Sequence, residues 1–233
     1  MDSQTVLVDV EYLGTSGISL PPQIRAALQT SLPILKANNN FNKVEFWGKV
    51  EGLNADYYIA QGFRNDLMRN KTVFYRSNPS YEYEVIDKVV GEDGDNEKVE
   101  EDRLRSLIKL VDDVAIVPRR AYLATPDKTI VKNRSFEGKN EKSFFSGLTV
   151  PEAAQLSNYF YFSDPKEFNV EAVAQRGDYE NSWILQFERG SALVTIRSLL
   201  WPGYVFYNIP GTCKFGSLYW GLGQKNLDLP FML

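Results

Sequence analysis

The stretch SWILQFERGSALVTIRSLLWPGYVFYNIPGTCKFGSLYW, Ser182 to Trp220, decides the architecture. Ser182 to Phe187 is a β-rich run that turns at Arg189-Gly190 into a second run, Ala192 to Trp201. Pro202-Gly203 turns the chain into Tyr204 to Asn208, and Pro210-Gly211 turns it again into Cys213 to Trp220. Aromatic and β-branched residues fill these runs, as a pleated, half-buried surface favours. Connections this short join only antiparallel strands, so the segment reads as a meander.

Working back towards the N-terminus, Val6, Val8, Val10 and Tyr12 alternate and predict a strand over Thr5 to Tyr12. Ser19, with Pro21 and Pro22 behind it, opens a helix whose apolar face is Ile24, Leu28, Leu32 and Leu35. Pro33 should bend or end that helix, and Asn38-Asn39-Asn40 closes it. Lys43 to Glu51 is a strand, with Val44, Phe46 and Val50 on one side and Lys43, Glu45, Lys49 and Glu51 on the other. A turn near Asn54-Ala55-Asp56 returns it as a hairpin through Tyr57 to Gln61. Thr72 to Tyr75 and Tyr81 to Val90 are further β-rich runs.

Residues 91–102 are charge-dense and read as an acidic, solvated loop entering a helix. Asp93, Asp95 and Glu97 alternate as in a calcium loop, but Lys98 occupies the position that needs a sharply turning glycine. Leu104, Leu107, Ile108 and Val111 give the helix its apolar stripe, and Val114 to Val117 is a buried strand ended by Pro118. Thr149-x-x-Glu152 with Pro151 predicts a capped helix packing through Leu156, Tyr159 and Phe160. The expected fold is therefore α+β, with antiparallel sheets and about three packed helices. One domain over residues 1–233 is expected, the acidic loop 91–102 separating an N-terminal α/β part from the remainder.

Composition limits the chemistry. The 233 residues include no histidine and one cysteine, Cys213. That excludes Ser-His-Asp and Cys-His pairs, imidazole bases and histidine-containing zinc sites. With 26 Lys and Arg against 30 Asp and Glu, the net charge of −4 offers no basic surface for nucleic acid. Met1-Asp2-Ser3-Gln4 lacks a basic region, so no signal peptide is expected. The longest apolar run, Ala192 to Tyr207, is broken by Arg197 and Pro202-Gly203, so no membrane helix is expected. Asn70-Lys71-Thr72 and Asn133-Arg134-Ser135 match a glycosylation pattern by chance.

The remaining chemical signals are weak. Gly221-Leu222-Gly223-Gln224-Lys225 lacks the third glycine of a dinucleotide motif and the ending of a P-loop, so it reads as a turn. Glu45, Glu51, Asp56, Glu82, Glu84 and Glu188 could supply a glycosidase-type carboxylate pair, but their alternation with apolar neighbours places most on a solvent face. Arg119-Arg120, and Lys132 with Arg134, read as salt-bridged surface. No catalytic residue, cofactor or metal site is assigned. The apolar ending Leu227-Asp228-Leu229-Pro230-Phe231-Met232-Leu233 must instead be covered, by the chain's own core or by a partner, because exposing each large side chain costs of order 1.5–3 kcal/mol. The candidate partner-contact residues are Trp201, Tyr204, Phe206, Tyr219, Trp220, Phe231 and Leu233, since aromatic rings are enriched at interfaces. The competing reading is a carbohydrate-binding or carboxylate-dependent glycan-processing β protein that uses these rings as sugar platforms.

Longer blocks carry a resemblance: Phe46-Trp47-Gly48-Lys49 with Ala55-Asp56-Tyr57-Tyr58-Ile59-Ala60-Gln61-Gly62, then Pro79-Ser80-Tyr81-Glu82-Tyr83-Glu84, Val117-Pro118-Arg119 and Asn133-Arg134-Ser135-Phe136-Glu137-Gly138. Glu188-Arg189-Gly190-Ser191-Ala192-Leu193-Val194, Arg197-Ser198-Leu199-Leu200-Trp201-Pro202-Gly203 and the ending from Lys225 to Leu233 are the most specific. Together they resemble the radial spoke head protein 9 family of motile cilia and flagella. Against that family the chain is short around Arg76-Ser77-Asn78 and between Asp164 and Ser182. The resemblance implies a non-enzymatic subunit without cofactor in the head of the axonemal radial spoke. Its implied partners are radial spoke head proteins 4 and 6 and other head subunits, with the head facing the central pair. Neither nucleic acid nor membrane is implied as a partner.

Overall fold

In the computed structural model the described residues are 1–52, 55–68, 71–77, 82–86, 96–127, 129–133, 136, 147–162, 182–190 and 192–232. In chain order the elements are α1 (Val6–Glu11), α2 (Pro22–Asn38), β1 (Lys43–Glu51), β2 (Asp56–Phe63), β3 (Thr72–Ser77), β4 (Glu84–Val85) and α3 (Asn96–Asp112). After them come β5 (Ile116–Pro118), β6 (Tyr122–Ala124), β7 (Ile130–Lys132), α4 (Val150–Ala153), β8 (Tyr159–Tyr161), β9 (Trp183–Glu188), β10 (Leu193–Ser198), β11 (Tyr204–Asn208), β12 (Phe215–Gly221) and α5 (Leu229–Met232).

The fold is α+β. Its main sheet has eight strands in the order β4-β3-β2-β1-β12-β11-β10-β9, and two small sheets pair β5 with β8 and β6 with β7. The C-terminal meander forms as its short turns require, β9 through β12 pairing antiparallel in sequence order. The first hairpin also forms, with Glu51 opposite Asp56 and Lys43 opposite Phe63. What the local pattern does not announce is the seam between the two halves, where β1 runs parallel to β12 and Gly48 lies opposite Tyr219. Glycine is needed there because a Cβ on residue 48 would lie 2.1 Å from the Tyr219 carbonyl oxygen.

Two apolar layers cover the sheet. On one face Val10, Leu28 and Leu32 of the N-terminal helices pack on Phe46, Tyr207 and Leu218. On the other, Ile108, Val111, Ile116 and Tyr159 pack on Ile59, Ile196 and Phe206. The period-two alternation of each strand divides its side chains between these layers, so both faces of the central strands are apolar.

Several expectations are corrected. Thr5 to Tyr12 is not a strand: Val6, Val10 and Leu13, spaced by four and three, are buried together, while Val8 is exposed. A helical face satisfied by tertiary burial overrides the β propensity of valine. Sheet pairing is confined to the first residues, where the Ser3 N–H donates to the Val44 carbonyl and the Phe46 N–H to that of Met1. Val50 does not share a side with Val44 and Phe46, because the register slips between Phe46 and Gly48 and leaves Trp47 as an extra residue. Such a bulge moves the following side chains to the opposite face, so Val50 joins the α3 layer.

Helix α2 passes through Pro33 and ends where the asparagines predict, with Asn40 at φ 51° and the Asn39 amide donating to the Leu35 carbonyl. The Thr149–Glu152 capping box forms, but α4 is a single turn. Asn158 Nδ2 donates to the Glu152 carbonyl and the Tyr159 hydroxyl to that of Ala153, so side chains satisfy the end of the helix. Leu156 lies in a 3-10 turn, and Tyr159 and Phe160 enter β8 instead. Of the three expected helices, only α2 and α3 are long. The β run at Tyr81 to Val90 contributes only Glu84–Val85 to the sheet, Tyr81 and 87–90 lying outside the described residues. Residues 91–95 of the acidic segment lie outside them too, while 96–102 are the first turns of α3 and not loop, and the parts before and after the segment share one sheet through β1 and β12. Among the described residues no helix is long and apolar enough to cross a membrane.

Candidate functional site

The aromatic contact candidates divide by burial. Trp201, Tyr204, Phe206 and Tyr219 belong to the apolar layer beneath α3 and are each at most 3% exposed, so they present no surface to a neighbour. Phe206 meets Tyr159 edge-on with centroids 5.6 Å apart, Tyr204 meets Trp183 at 5.8 Å, and Tyr219 lies 5.2 Å from Trp47. Their polar atoms are used inside as well: the Tyr204 hydroxyl accepts from the Ile116 N–H at 3.2 Å and the Tyr219 hydroxyl from the Gly223 N–H at 2.9 Å. Burial pushes the Tyr204 hydroxyl up to about 12. The sequence shows more rings than one sheet face can bury, but this sheet buries both faces. Trp220 is half-buried, with the Lys49 ammonium 4.8 Å above its ring and that ammonium held by Asp56 at 2.8 Å and Glu51 at 3.3 Å.

The C-terminal segment behaves differently. Asn226 ties it down, its N–H donating to the Leu200 carbonyl at 2.8 Å and its side-chain amide to that of Leu199 at 3.2 Å. Leu229 then inserts into the apolar layer and is 5% exposed. The residues on either side of it point outward: Leu227, before the turn, is 75% exposed, and Phe231 and Met232 within it are 89% and 72% exposed. Leu233 lies outside the described residues. One buried leucine thus anchors a turn that displays a phenyl ring and a thioether to solvent. Gly221 ends β12, and the chain bends just after it at Gly223, which has φ 72° and packs against Leu107.

A partly buried polar cluster lies on the α3 side of the sheet. Asp112, the last residue of α3, accepts from Trp47 Nε1 at 2.8 Å and Gln61 Nε2 at 3.0 Å, and pairs with Lys71. A carboxylate at a helix C-terminus opposes the helix dipole, and the Lys71 ammonium offsets that repulsion. The cluster borders a cavity of about 90 Å³ that Lys43 and Glu45 also line. Lys43 and Glu45 pair with each other, and the amino terminus donates to the Phe46 carbonyl at 3.0 Å. Burial alone would raise the Glu45 carboxyl, but Lys43 and the amino terminus hold it down at about 2. Glu45 is therefore not on an open solvent face, because Met1 to Ser3 lie along that end of β1. The acids and bases of the cavity neutralise one another, an arrangement that fixes strands and helix in place.

The other charged candidates are structural in placement. Glu51 and Asp56 hold Lys49, Glu84 accepts from the Tyr75 hydroxyl at 3.0 Å, and Glu82 and Glu188 are exposed. Arg119 pairs with Glu152 at 2.8 Å, while Arg120 and Lys132 are exposed and Arg134 lies outside the described residues. Asn133 is buried with its amide donating to the Arg120 carbonyl, and Asn70 is outside the described residues. Among the described residues no group of three or more Cys, Asp or Glu could hold a metal ion.

A family profile described as Radial spokehead-like protein matches residues 1–153. The whole chain also aligns with the whole of the radial spoke head protein 9 homolog of Bos taurus, 38% identical over 285 positions. Identity is 37% to the homolog of Homo sapiens and 32% to that of Danio rerio, again over all of both chains. Because the alignments are longer than the 233 residues here, these relatives carry segments that this chain lacks.

Proposed function

The chain belongs to the radial spokehead-like protein family, and from that premise we propose that it is a non-catalytic structural subunit of the radial spoke head of motile cilia and flagella. In this reading it helps to build the head together with radial spoke head proteins 4 and 6 and other head subunits in the ciliary axoneme. The head in turn passes mechanical signals between the central pair and the dynein arms that set the beat.

The observation that carries the proposal is end-to-end similarity joined to a displayed apolar turn. Phe231 and Met232 are held outward by buried Leu229, and contiguous exposed apolar surface marks an interaction site. The doubly covered sheet supports it, since transmitting force requires a body that does not deform. The competing sugar-platform reading loses its basis, because Trp201, Tyr204, Phe206 and Tyr219 stack within the chain's own core.

The test is to express the tagged full chain in ciliated cells lacking the endogenous copy. Extraction of axonemes should release it with radial spoke head proteins 4 and 6, and its loss should remove density from the spoke head in electron tomograms. Recovery as a free cytosolic monomer, with intact spoke heads in its absence, overturns the proposal.

A further inference from the structure

The main sheet ends on β9, and this edge has few of the features that ordinarily block strand addition. Its six residues include no proline, lysine or bulge, and they pair with β10 along their whole length. The opposite edge strand, β4, has only two residues.

The register identifies the backbone groups that face outward. The Leu199 N–H donates to the Ser182 carbonyl at 2.8 Å, continuing the pairing of Trp183 with Ser198. Bonded and non-bonded pairs alternate along an antiparallel ladder. Residues 182, 184, 186 and 188 therefore bond towards β10, and the N–H and C=O of Trp183, Leu185 and Phe187 point to the open edge. Among the described residues none of those backbone groups has a partner outside the sheet.

The side chains divide as cleanly. Trp183 is buried, its indole donating to the Tyr161 hydroxyl at 2.9 Å, and Leu185 and Phe187 lie half-buried against the same apolar layer. On the other face Ile184 is 42% exposed, and Gln186 accepts from Arg197 at 2.9 Å. An added strand would cover the open flank of Leu185 and Phe187 with every second side chain.

On the reading that this chain is an assembly subunit, we infer that β9 is a strand-addition site for an extended segment of a different polypeptide. That segment carries apolar residues at alternate positions, on the face of Leu185 and Phe187, and a backbone N–H at each position bonded to β9. A second copy of this chain fits less well. Two six-residue edges alone fall short of the roughly 1,200 Å² that a stable interface buries, and both copies carry a net charge of −4. A segment of a larger neighbour has further contacts to draw on.

Amide hydrogen exchange of the full chain tests this, comparing the purified chain with radial spoke heads isolated from axonemes. Exchange at Trp183, Leu185 and Phe187 should be at least tenfold slower in the spoke head, and equal exchange overturns the inference. Protection that grows with the concentration of the purified chain, with a dimer in sedimentation, makes a second copy the occupant and also overturns it. Absence of the chain from spoke heads overturns the functional reading and this inference with it. As an independent arm, Leu185→Pro removes an outward N–H and no bond to β10. Its incorporation into spoke heads should fall at least tenfold relative to Leu185→Ala, which loses the same packing but keeps the outward N–H; equal incorporation of the two variants overturns the inference.

Discussion

The indole N–H of Trp47 donates to Asp112 Oδ1 at 2.8 Å, joining the bulged residue of β1 to the last residue of α3. Trp47 faces away from Phe46 by ordinary strand alternation, and the extra residue then brings Val50 to the same α3 side as Trp47. The same carboxylate accepts from Gln61 on β2 and pairs with Lys71, so one side chain at the end of α3 fastens the helix to two neighbouring strands.

Asp112→Ala should therefore lower stability by about 3 kcal/mol, since it leaves two largely buried donors unsatisfied and the Lys71 ammonium unpaired. Asp112→Asn retains one acceptor oxygen and should lose less. Urea denaturation of the two variants measures the order, and an Asn variant less stable than the Ala variant would contradict the accepting role.

Glu45 gives the fold an acid-sensitive component. Its carboxyl sits at about 2 in the folded chain against an ordinary value of 4.5, so folding favours the ionised form. That contribution is complete above about pH 4.5 and is lost as the pH falls towards 2. Thermal melts of wild type and Glu45→Gln should converge as the pH is lowered through this window, with the wild type more stable above it.

Gly48→Ala places a methyl group against the Tyr219 carbonyl, where the unrelaxed separation is 2.1 Å. Backbone must move to accept it, and the parallel β1–β12 seam is where that movement falls. The expected loss is about 3 kcal/mol or more, among the larger single-residue effects. Gly14→Ala, with open space around the added methyl, is the matched control and should change little.

The C-terminal turn separates anchoring from display. Leu229→Ala should cost about 2 kcal/mol in the isolated chain, as deletions from a core do. Phe231→Ser should leave stability within about 0.5 kcal/mol and reduce incorporation into spoke heads. Denaturation curves and quantitative blotting of isolated spoke heads check the pair; a Phe231→Ser chain that incorporates normally removes the turn from the interface.

The meander, the first hairpin and the two long helices were legible because each is written in a repeat of two or of three to four residues, punctuated by Pro-Gly, Arg-Gly or asparagine. The N-terminal segment misled because Val6, Val8 and Val10 alternate as in a strand, while Val6, Val10 and Leu13 also form a helical face. Only the neighbouring layer chooses between those readings. The aromatic residues misled for a related reason: alternation shows that Tyr204 and Phe206 share a face, not that another layer lies over it. At the C-terminus, the apolar composition showed that something must be covered, and the packing showed that Leu229 is covered by the chain itself while Phe231 is not. No local signal links Lys71 to Asp112, whose contact depends on where the start of β3 and the end of α3 come to rest.

What the sequence determined by itself was everything set by near neighbours: the antiparallel order of the last four strands, the α2 and α3 stripes, the capping box at Thr149, and the lack of an imidazole to do chemistry with. What the tertiary structure decided was the pairing of distant segments: the parallel seam of β1 with β12, the side of the sheet that each side chain faces after the Trp47 bulge, and which strands end the main sheet among the described residues. The division is physical. Short turns and side-chain periods act over a few bonds, whereas sheet order and burial depend on which surfaces remain uncovered once all the local elements have formed.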